Sequence, residues 1–349
     1  MKKIVFIMLL VCFINVRASS DIVMDVDSGR ILYENNAYQK RLIASTTKIM
    51  TFVVAYEYGY YLLDNEFEAG EEVLKMYGTS IYLNYHEKMT LKDLLYGLML
   101  RSGNDAAVVI ANNIASSEAQ FVKLMNLKAK ELGMHNTIFN NAHGLDEETK
   151  NYSTAYDMAL LSCYAYKIPL YREITHTKYY KTQTSNKAYS WVNRNKLLFT
   201  YKKLTTGKTG YTPSAGKTFV STASNNDLNL TIVTLNDPNI YDRHQSLYDK
   251  YFGEYENYTI VKKSMFNVNK KYSKENIYIK KDIIYPVKKS EVKKLKYQVY
   301  INDKVDNHVC GYIEVFLNNK SILKEKIYQR KRQEIKTKSF WQKIRDFFK

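Results

Sequence analysis

Three short strings in this sequence hold the residue types that a serine-based attack on an amide bond requires: Ser45-Thr46-Thr47-Lys48, Ser102-Gly103-Asn104 and Lys208-Thr209-Gly210. A serine hydroxyl is a weak nucleophile until a base takes its proton. Lys48 stands three residues after Ser45, and the apolar run Ile49-Met50…Val53-Val54 begins at once. The spacing predicts Ser45 at a helix N-terminus with Lys48 one turn on, on the same face, where the amine reaches the hydroxyl. An amine held near positive neighbours and partly desolvated loses its proton more easily and can serve as a neutral base. The Ser45 amide and the helix dipole favour a developing oxyanion. Ser102-Gly103-Asn104 falls in a short break between two helical stretches and can point a hydroxyl and an amide into a cleft. Lys208 and Thr209 suit a substrate carboxylate, and Gly210 lets a substrate approach the backbone closely. Taken singly, each string has a plainer reading: a helix cap beside a surface lysine, a turn, a common tripeptide.

The elements that must position these groups read as strands at both ends of the region with helices between. Ile22-Val23-Met24-Asp25-Val26 and Ile31-Leu32-Tyr33 flank the turn Asp27-Ser28-Gly29-Arg30, a hairpin pattern. Helical stretches follow at about 46–60, 91–100, 105–115, 118–132 and 154–167. Their starts are marked by Thr90 with Asp93, Ser117 with Gln120 and Thr154 with Asp157, and Gly133 ends the fourth. Strand patterns return near 217–223 and 228–235, just after Lys208-Thr209-Gly210, and a helix follows at about 239–251. This order predicts an α/β domain whose antiparallel sheet is built from both chain ends against a helical cluster. From Tyr255 to about Tyr328 short alternating strands replace helix signals, among them Tyr297-Gln298-Val299-Tyr300-Ile301 and Gly311–Leu317, which predicts a small all-β domain.

At 349 residues and 45% hydrophobic content, the chain can bury one large core and a smaller one. Lys and Arg number 52 against 35 Asp and Glu, a net charge of +17 that suits nucleic acid, an anionic membrane surface or an acidic wall polymer. No zinc finger, RNP-type string or helix-turn-helix pattern is present, so nucleic acid is not expected as a partner. Met1-Lys2-Lys3, the apolar run Ile4–Val16 and the short residues around Ala18 read as a secretory signal over 1–18. The run falls short of the ~20 residues of a membrane span; an N-terminal anchor or a buried first strand are the plainer alternatives. Cys12 leaves with the signal, and Cys163 and Cys310 are too few for a disulfide framework. His135 and His143 lack metal-ligand spacing, and no H-E-x-x-H occurs, so neither a metal nor a cofactor is expected.

The final stretch differs from the rest. From Lys324 onward Lys and Arg outnumber Asp and Glu by 10 to 3. Phe340, Trp341, Ile344, Phe347 and Phe348 then fall on one face of a helix, with Lys343, Arg345 and Lys349 off it. Such a stripe beside lysines suits a helix lying in the plane of an anionic membrane surface, the alternative being a helix packed on the protein. The expected division is thus signal 1–18, catalytic domain 19–255, all-β domain 256–332 and amphipathic helix 333–349.

In their longer contexts the strings become specific. Ile43–Thr51, Arg101–Ala107, His143-Gly144-Leu145-Asp146, Tyr152–Ala159 and Gly207–Thr212 resemble the serine D-alanyl-D-alanine carboxypeptidases, the low-molecular-weight penicillin-binding proteins, whose S-x-x-K, S-x-N and K-T-G set is all present. The resemblance runs from about Ile22 to Lys250 and more loosely through the β domain, where Tyr285–Val292 has Ser290 in place of the family's usual glycine. It implies a β-lactamase/transpeptidase-like catalytic fold and the following roles. Ser45 attacks the carbonyl of the penultimate D-alanine and Lys48 takes its proton. Ser102 relays a proton to the leaving amine, and Asn104 holds the acyl-side amide. Lys208 and Thr209 bind the terminal carboxylate, and the backbone N–H groups of Ser45 and Tyr211 form the oxyanion hole. The implied partners are peptidoglycan stem peptides, with β-lactams as inhibitors, at the outer face of the cytoplasmic membrane. Two rivals stay open at this point. A class A-like β-lactamase would use a glutamate for deacylation, for which Glu147 with Asn151 gives a bare E-x-x-x-N string. A catalytically inert wall-binding protein of the same fold would have no need of the intact set.

Overall fold

The helix that follows Ser45 is buried on every side over its first eight residues. Ile49, Met50, Phe52, Val53, Val54 and Ala55 are all fully buried, so Lys48–Gly59 is a core helix rather than an amphipathic one. In the computed structural model, which describes residues 19–266, 277–306 and 308–330, the chain divides into two compact units, Met1–Gly253 and Glu254–Lys349. The expected signal (1–18) and basic helix (333–349) lie outside the described residues.

The first unit holds a five-stranded antiparallel sheet in the order Ile31–Asn35, Ser20–Asp25, Leu228–Leu235, Gly216–Asn225, Leu204–Thr212. The strand nearest the N-terminus pairs with one from the far end of the unit, with Ile22 opposite Val233. Successive residues of a strand face opposite ways, and both faces are covered. Ser221 Oγ lies 2.7 Å from Nδ1 of His244, on the helix Ile240–Glu254. Its neighbour Thr222 turns the other way, 3.4 Å from Ser162 on the helix Ala155–Tyr166. Thr234 closes on the other ring nitrogen of His244 at 3.1 Å. Burial holds that imidazole well below its ordinary pKa, so it is a neutral core group.

The capping residues read from sequence begin their helices. The Thr90, Ser117 and Thr154 side chains accept from the backbone N–H of Asp93, Gln120 and Asp157, opening Leu91–Tyr96, Glu118–Glu131 and Ala155–Tyr166. Three local features differ from expectation. The region of Ser45 begins not as α-helix but as a 3₁₀ turn, Ala44–Thr47. The helix from Leu91 loosens into a π turn, Gly97–Arg101, that ends on Ser102 in the left-handed conformation, φ 64°. Lys208-Thr209-Gly210 does not precede the strands but lies within the edge strand Leu204–Thr212. The helix Pro169–His176 and the hairpin Tyr179–Gln183 with Ala188–Val192 had no sequence expectation; in the second strand only Tyr189 and Trp191 turn inward.

The second unit is built of strands. A four-stranded sheet runs in the order Ile277–Tyr278, Lys320–Gln329, Val309–Leu317, Leu295–Asp306, and Glu256–Val261 pairs with Ile283–Val287. Val261, Ile279, Ile283, Cys310, Ile313, Val315 and Ile327 form its core. Among the described residues, no helix is long and apolar enough to cross a membrane.

Candidate active site

Ser45 lies in the 3₁₀ turn, and Lys48 opens the buried helix behind it. The Lys48 amine has three polar neighbours: Ser45 Oγ at 3.1 Å, Asn104 Oδ1 at 2.7 Å and the His143 carbonyl at 2.5 Å. Two of these can only accept hydrogen bonds; the third is a hydroxyl that can donate. A neutral amine satisfies all three by donating to the two carbonyl oxygens and turning its lone pair on Ser45. Lys48 is fully buried and forms no ion pair among the described residues. Burial, then the charges of Lys208 and Arg194, hold its pKa well below 10.5.

The loop with Ser102 and Asn104 is fixed by its neighbours. Asn104 donates from Nδ2 to the Tyr77 carbonyl at 2.7 Å, which orients Oδ1 toward Lys48. Asp105 gathers the segment in front: its carboxylate accepts from the N–H groups of Ile81 and Leu83, each at 3.0 Å, and from Ser80 Oγ. Thr79 Oγ1 donates to the Ser102 carbonyl at 2.7 Å. The Ser102 hydroxyl meets Lys208 Nζ at 3.0 Å.

Lys208 reaches in from the edge strand and is buried, as are Lys48 and Asn104; Ser45, Ser102, Thr209, Gly210 and Tyr211 line the cleft itself, a volume of about 470 Å³. Tyr211 stands at its rim, exposed. Gly210 is required for a reason other than substrate approach. A Cβ there would come within 2.8 Å of the Ser45 nitrogen and 2.5 Å of Thr218 Oγ1. Only glycine lets the strand lie against the turn that holds Ser45.

Sequence reasoning missed Arg194. It lines the cleft, and its charge, after burial, lowers the Lys208 pKa to about 7. Lys196 and Lys217 line the same cleft, and no carboxylate does among the described residues. The cleft therefore sets several cationic side chains beside the Ser45 hydroxyl. The only signal for Arg194 in the sequence is a cation between two asparagines, Asn193 and Asn195, both buried in the fold.

The carbonyl under Lys48 depends on Gly144, at φ 90°. A Cβ at this position would meet the Ala44 carbonyl oxygen at 2.1 Å. Ala44 is itself left-handed, φ 46°, so this turn has little room to give. Gly144→Ala is expected to slow β-lactam acylation by about a hundredfold, because a ~1 Å displacement at a reacting pair costs that much. Acylation with a fluorescent penicillin measures it; a rate within twofold of wild type would show that the His143 carbonyl does not matter.

The family model described as D-alanyl-D-alanine carboxypeptidase matches residues 11–239. The chain is 34% identical over 254 residues to D-alanyl-D-alanine carboxypeptidase DacF of Bacillus subtilis, covering 71% of this chain and 65% of that one. It is 36% identical over 235 residues to DacC of Escherichia coli, covering 63% and 57%. The matched stretch thus spans less than two thirds of either relative. The crystal structure of the D-alanyl-D-alanine carboxypeptidase DacD from Francisella tularensis superposes with a TM-score of 0.69 at 25% identity, covering 89% of this chain and 92% of that one. With the matched family model spanning most of the first unit and all three strings meeting in one cleft, the chain belongs to the D-alanyl-D-alanine carboxypeptidase family, peptidase family S11.

Proposed function

We propose that this protein is a serine DD-carboxypeptidase that removes the terminal D-alanine from peptidoglycan stem peptides and is acylated and inhibited by β-lactams. The observation that carries this reading is the buried Lys48 amine, without an acid partner among the described residues and 3.1 Å from Ser45 Oγ. The substrate carboxylate is drawn to Lys208, Thr209 and Arg194. Ser45 Oγ attacks the penultimate carbonyl while its proton passes to Lys48 Nζ. The carbonyl oxygen gains charge next to the backbone N–H groups of Ser45 and Tyr211. As the C–N bond breaks, the leaving nitrogen takes the Ser102 proton, and Lys208, 3.0 Å away, replaces it. A bound carboxylate raises the Lys208 pKa from about 7, so the lysine is protonated when it is needed. Water then attacks the ester, and the Ser45–Lys48 pair runs in reverse.

The β-lactamase rival needs a carboxylate over the ester. Glu147 instead lies close enough to Tyr77 to help raise its pKa, after burial, and does not line the cleft. Asn151 is buried scaffolding, donating to Thr47 Oγ1 and the Asn141 carbonyl at 3.0 Å each. Mass spectrometry of pentapeptide stems incubated with the purified protein tests the reading: loss of one alanine supports it, and unchanged stems overturn it.

The same reading places the protein outside the cytoplasm, held peripherally by the basic helix 333–349 with its stripe of Phe340, Trp341, Ile344, Phe347 and Phe348. A twelve-residue helix is only ~18 Å long and cannot cross the hydrocarbon core. Deleting residues 338–349 is expected to release the protein from anionic vesicles while leaving hydrolysis of a soluble peptide almost unchanged. Full co-sedimentation of the truncated protein would move the anchor elsewhere in the chain.

A further inference from the structure

The outer face of the four-stranded sheet in the second unit takes no part in the chemistry above. Strand alternation sends Ile313 and Val315 into the core of this unit and turns Tyr312, Glu314 and Phe316 to the opposite face. The register fills in that face. Tyr312 lies between Tyr300 and Lys326, and Glu314 between Gln298 and Lys324. Lys296 stands opposite Phe316, and Tyr278 opposite Tyr328.

Tyrosines and cations interleave across it. Tyr300 stacks on Tyr312 with ring centroids 4.7 Å apart, and Tyr278 lies 5.8 Å from Tyr328. Lys324 sits over the Tyr312 ring at 5.1 Å, Lys280 over Tyr328 at 4.1 Å and Arg330 over Tyr278 at 5.2 Å. A cation resting on a ring has already lost much of its rotamer freedom, so gripping an anion costs it less. The acids of this face do not balance these charges. Glu314 is buried and engaged by Lys324 at 3.2 Å and by Ser321 Oγ at 2.6 Å. Asp306, opposite Val309, is left against Lys280, Lys296, Lys326 and Arg330. Those four are exposed and form no ion pair among the described residues.

Like charges gathered on one face of a sheet do not stabilise it, so folding gives no reason for them. A chain of anions does. Lys324, Lys326 and Arg330 follow one another at steps of two and four residues, roughly 7 and 14 Å along the strand direction. On the location outside the cytoplasm proposed above, on which this choice rests, the anionic chains within reach are those of a cell wall. The carboxylates of a stem-bearing glycan come in clusters a disaccharide apart. A phosphodiester polymer carries one charge on every short repeat, and its phosphates meet a row of closely set cations one by one.

We propose that this face binds a phosphodiester-linked anionic polymer of the cell wall, with successive phosphates on Lys296, Lys326, Arg330 and Lys280, and so holds the protein on the wall independently of its active site.

The test measures binding of the full-length protein to fluorescent poly(glycerol phosphate) chains between about 50 and about 200 mM salt. The triple variant Lys296→Gln, Lys326→Gln, Arg330→Gln should bind at least about tenfold more weakly at the lower salt, and the slope of log K against log salt should fall by about two, ~0.7 for each lost contact. Lys326→Gln alone, which removes one exposed side chain, should lower the slope by about 0.7. A control triple that removes the same charge elsewhere in this unit, Lys263→Gln, Lys281→Gln, Lys293→Gln, should bind as wild type does, and thermal melts check that both triples fold. Equal losses in the two triples would make the affinity one of overall charge and overturn the face. Losses by the face triple that are as large on anionic vesicles, on duplex DNA or on soluble stem-bearing glycan strands would overturn the phosphodiester polymer as its occupant. Binding is read without turnover, so pentapeptide stems left unchanged by the protein would overturn the carboxypeptidase reading and not this one.

Discussion

Ser45→Ala is expected to lower D-alanine release and β-lactam acylation by about a millionfold, the scale seen when a serine hydrolase loses its nucleophile. Of the three partners of the Lys48 amine only Ser45 carries a hydroxyl; the other two are carbonyl oxygens. The Ser102 hydroxyl is engaged by Lys208 on the far side of the cleft. No second nucleophile stands ready to replace the first. The fold should survive, because the helix that carries the site is held by its apolar residues and not by this hydroxyl. Intact-protein mass spectrometry after incubation with benzylpenicillin, beside a thermal melt, checks both halves. A penicilloyl adduct on another serine of the variant would sink the assignment.

Lys48→Met is expected to cost about a thousandfold in acylation, the contribution of a positioned general base. It also carries a pH signature that a structural lysine would lack. The Lys48 pKa in the folded protein lies well below 10.5, so over that interval the unfolded chain binds the extra proton and stability rises with pH. Lys208 adds a slope of the same sign above about 7. Removing one of the two lysines should flatten the rise of Tm between about pH 7 and about pH 9. Lys48→Arg should be inactive too, and less stable, since it buries a permanent charge among carbonyl groups with no carboxylate beside it. Equal Tm slopes for wild type and Lys48→Met would mean that the amine is charged in the folded state, and the neutral-base mechanism would fall.

Much of this site was legible because its chemistry is concentrated in short strings that also carry helix signals. Thr90, Ser117 and Thr154 cap helices through local hydrogen bonds, and local rules suffice for them. Lys208-Thr209-Gly210 was placed outside the sheet because lysine, threonine and glycine do not advertise a buried strand. The hairpin 179–192 hides its pattern in tyrosines and lysines, of which only Tyr189 and Trp191 turn inward in the second strand. Arg194 and the Ser80–Leu83 segment come to the site through contacts distant in sequence, and no spacing rule finds such groups. The left-handed Ala44 and Ser102 belong to residue types that seldom take that conformation, so sequence pointed away from them.

The pairing of Ile22 with Val233 has a consequence for how the protein is made. The hairpin Ser20–Asp25 with Ile31–Asn35 is made well before its partner, so its inner edge stays unpaired until Leu235 has been synthesised. Closing a loop of that length is a slow step, so folding of this unit is governed by a late, long-range event. The strand that carries Lys208 is registered on Gly216–Asn225, which in turn is registered on Leu228–Leu235. The lysine therefore reaches Ser102 only when the whole ladder has zipped. Nascent chains halted before Leu228 should bind no penicillin even though Ser45, Lys48 and Ser102 are already present, and a newly made chain is expected to stay silent until its last sheet strand arrives.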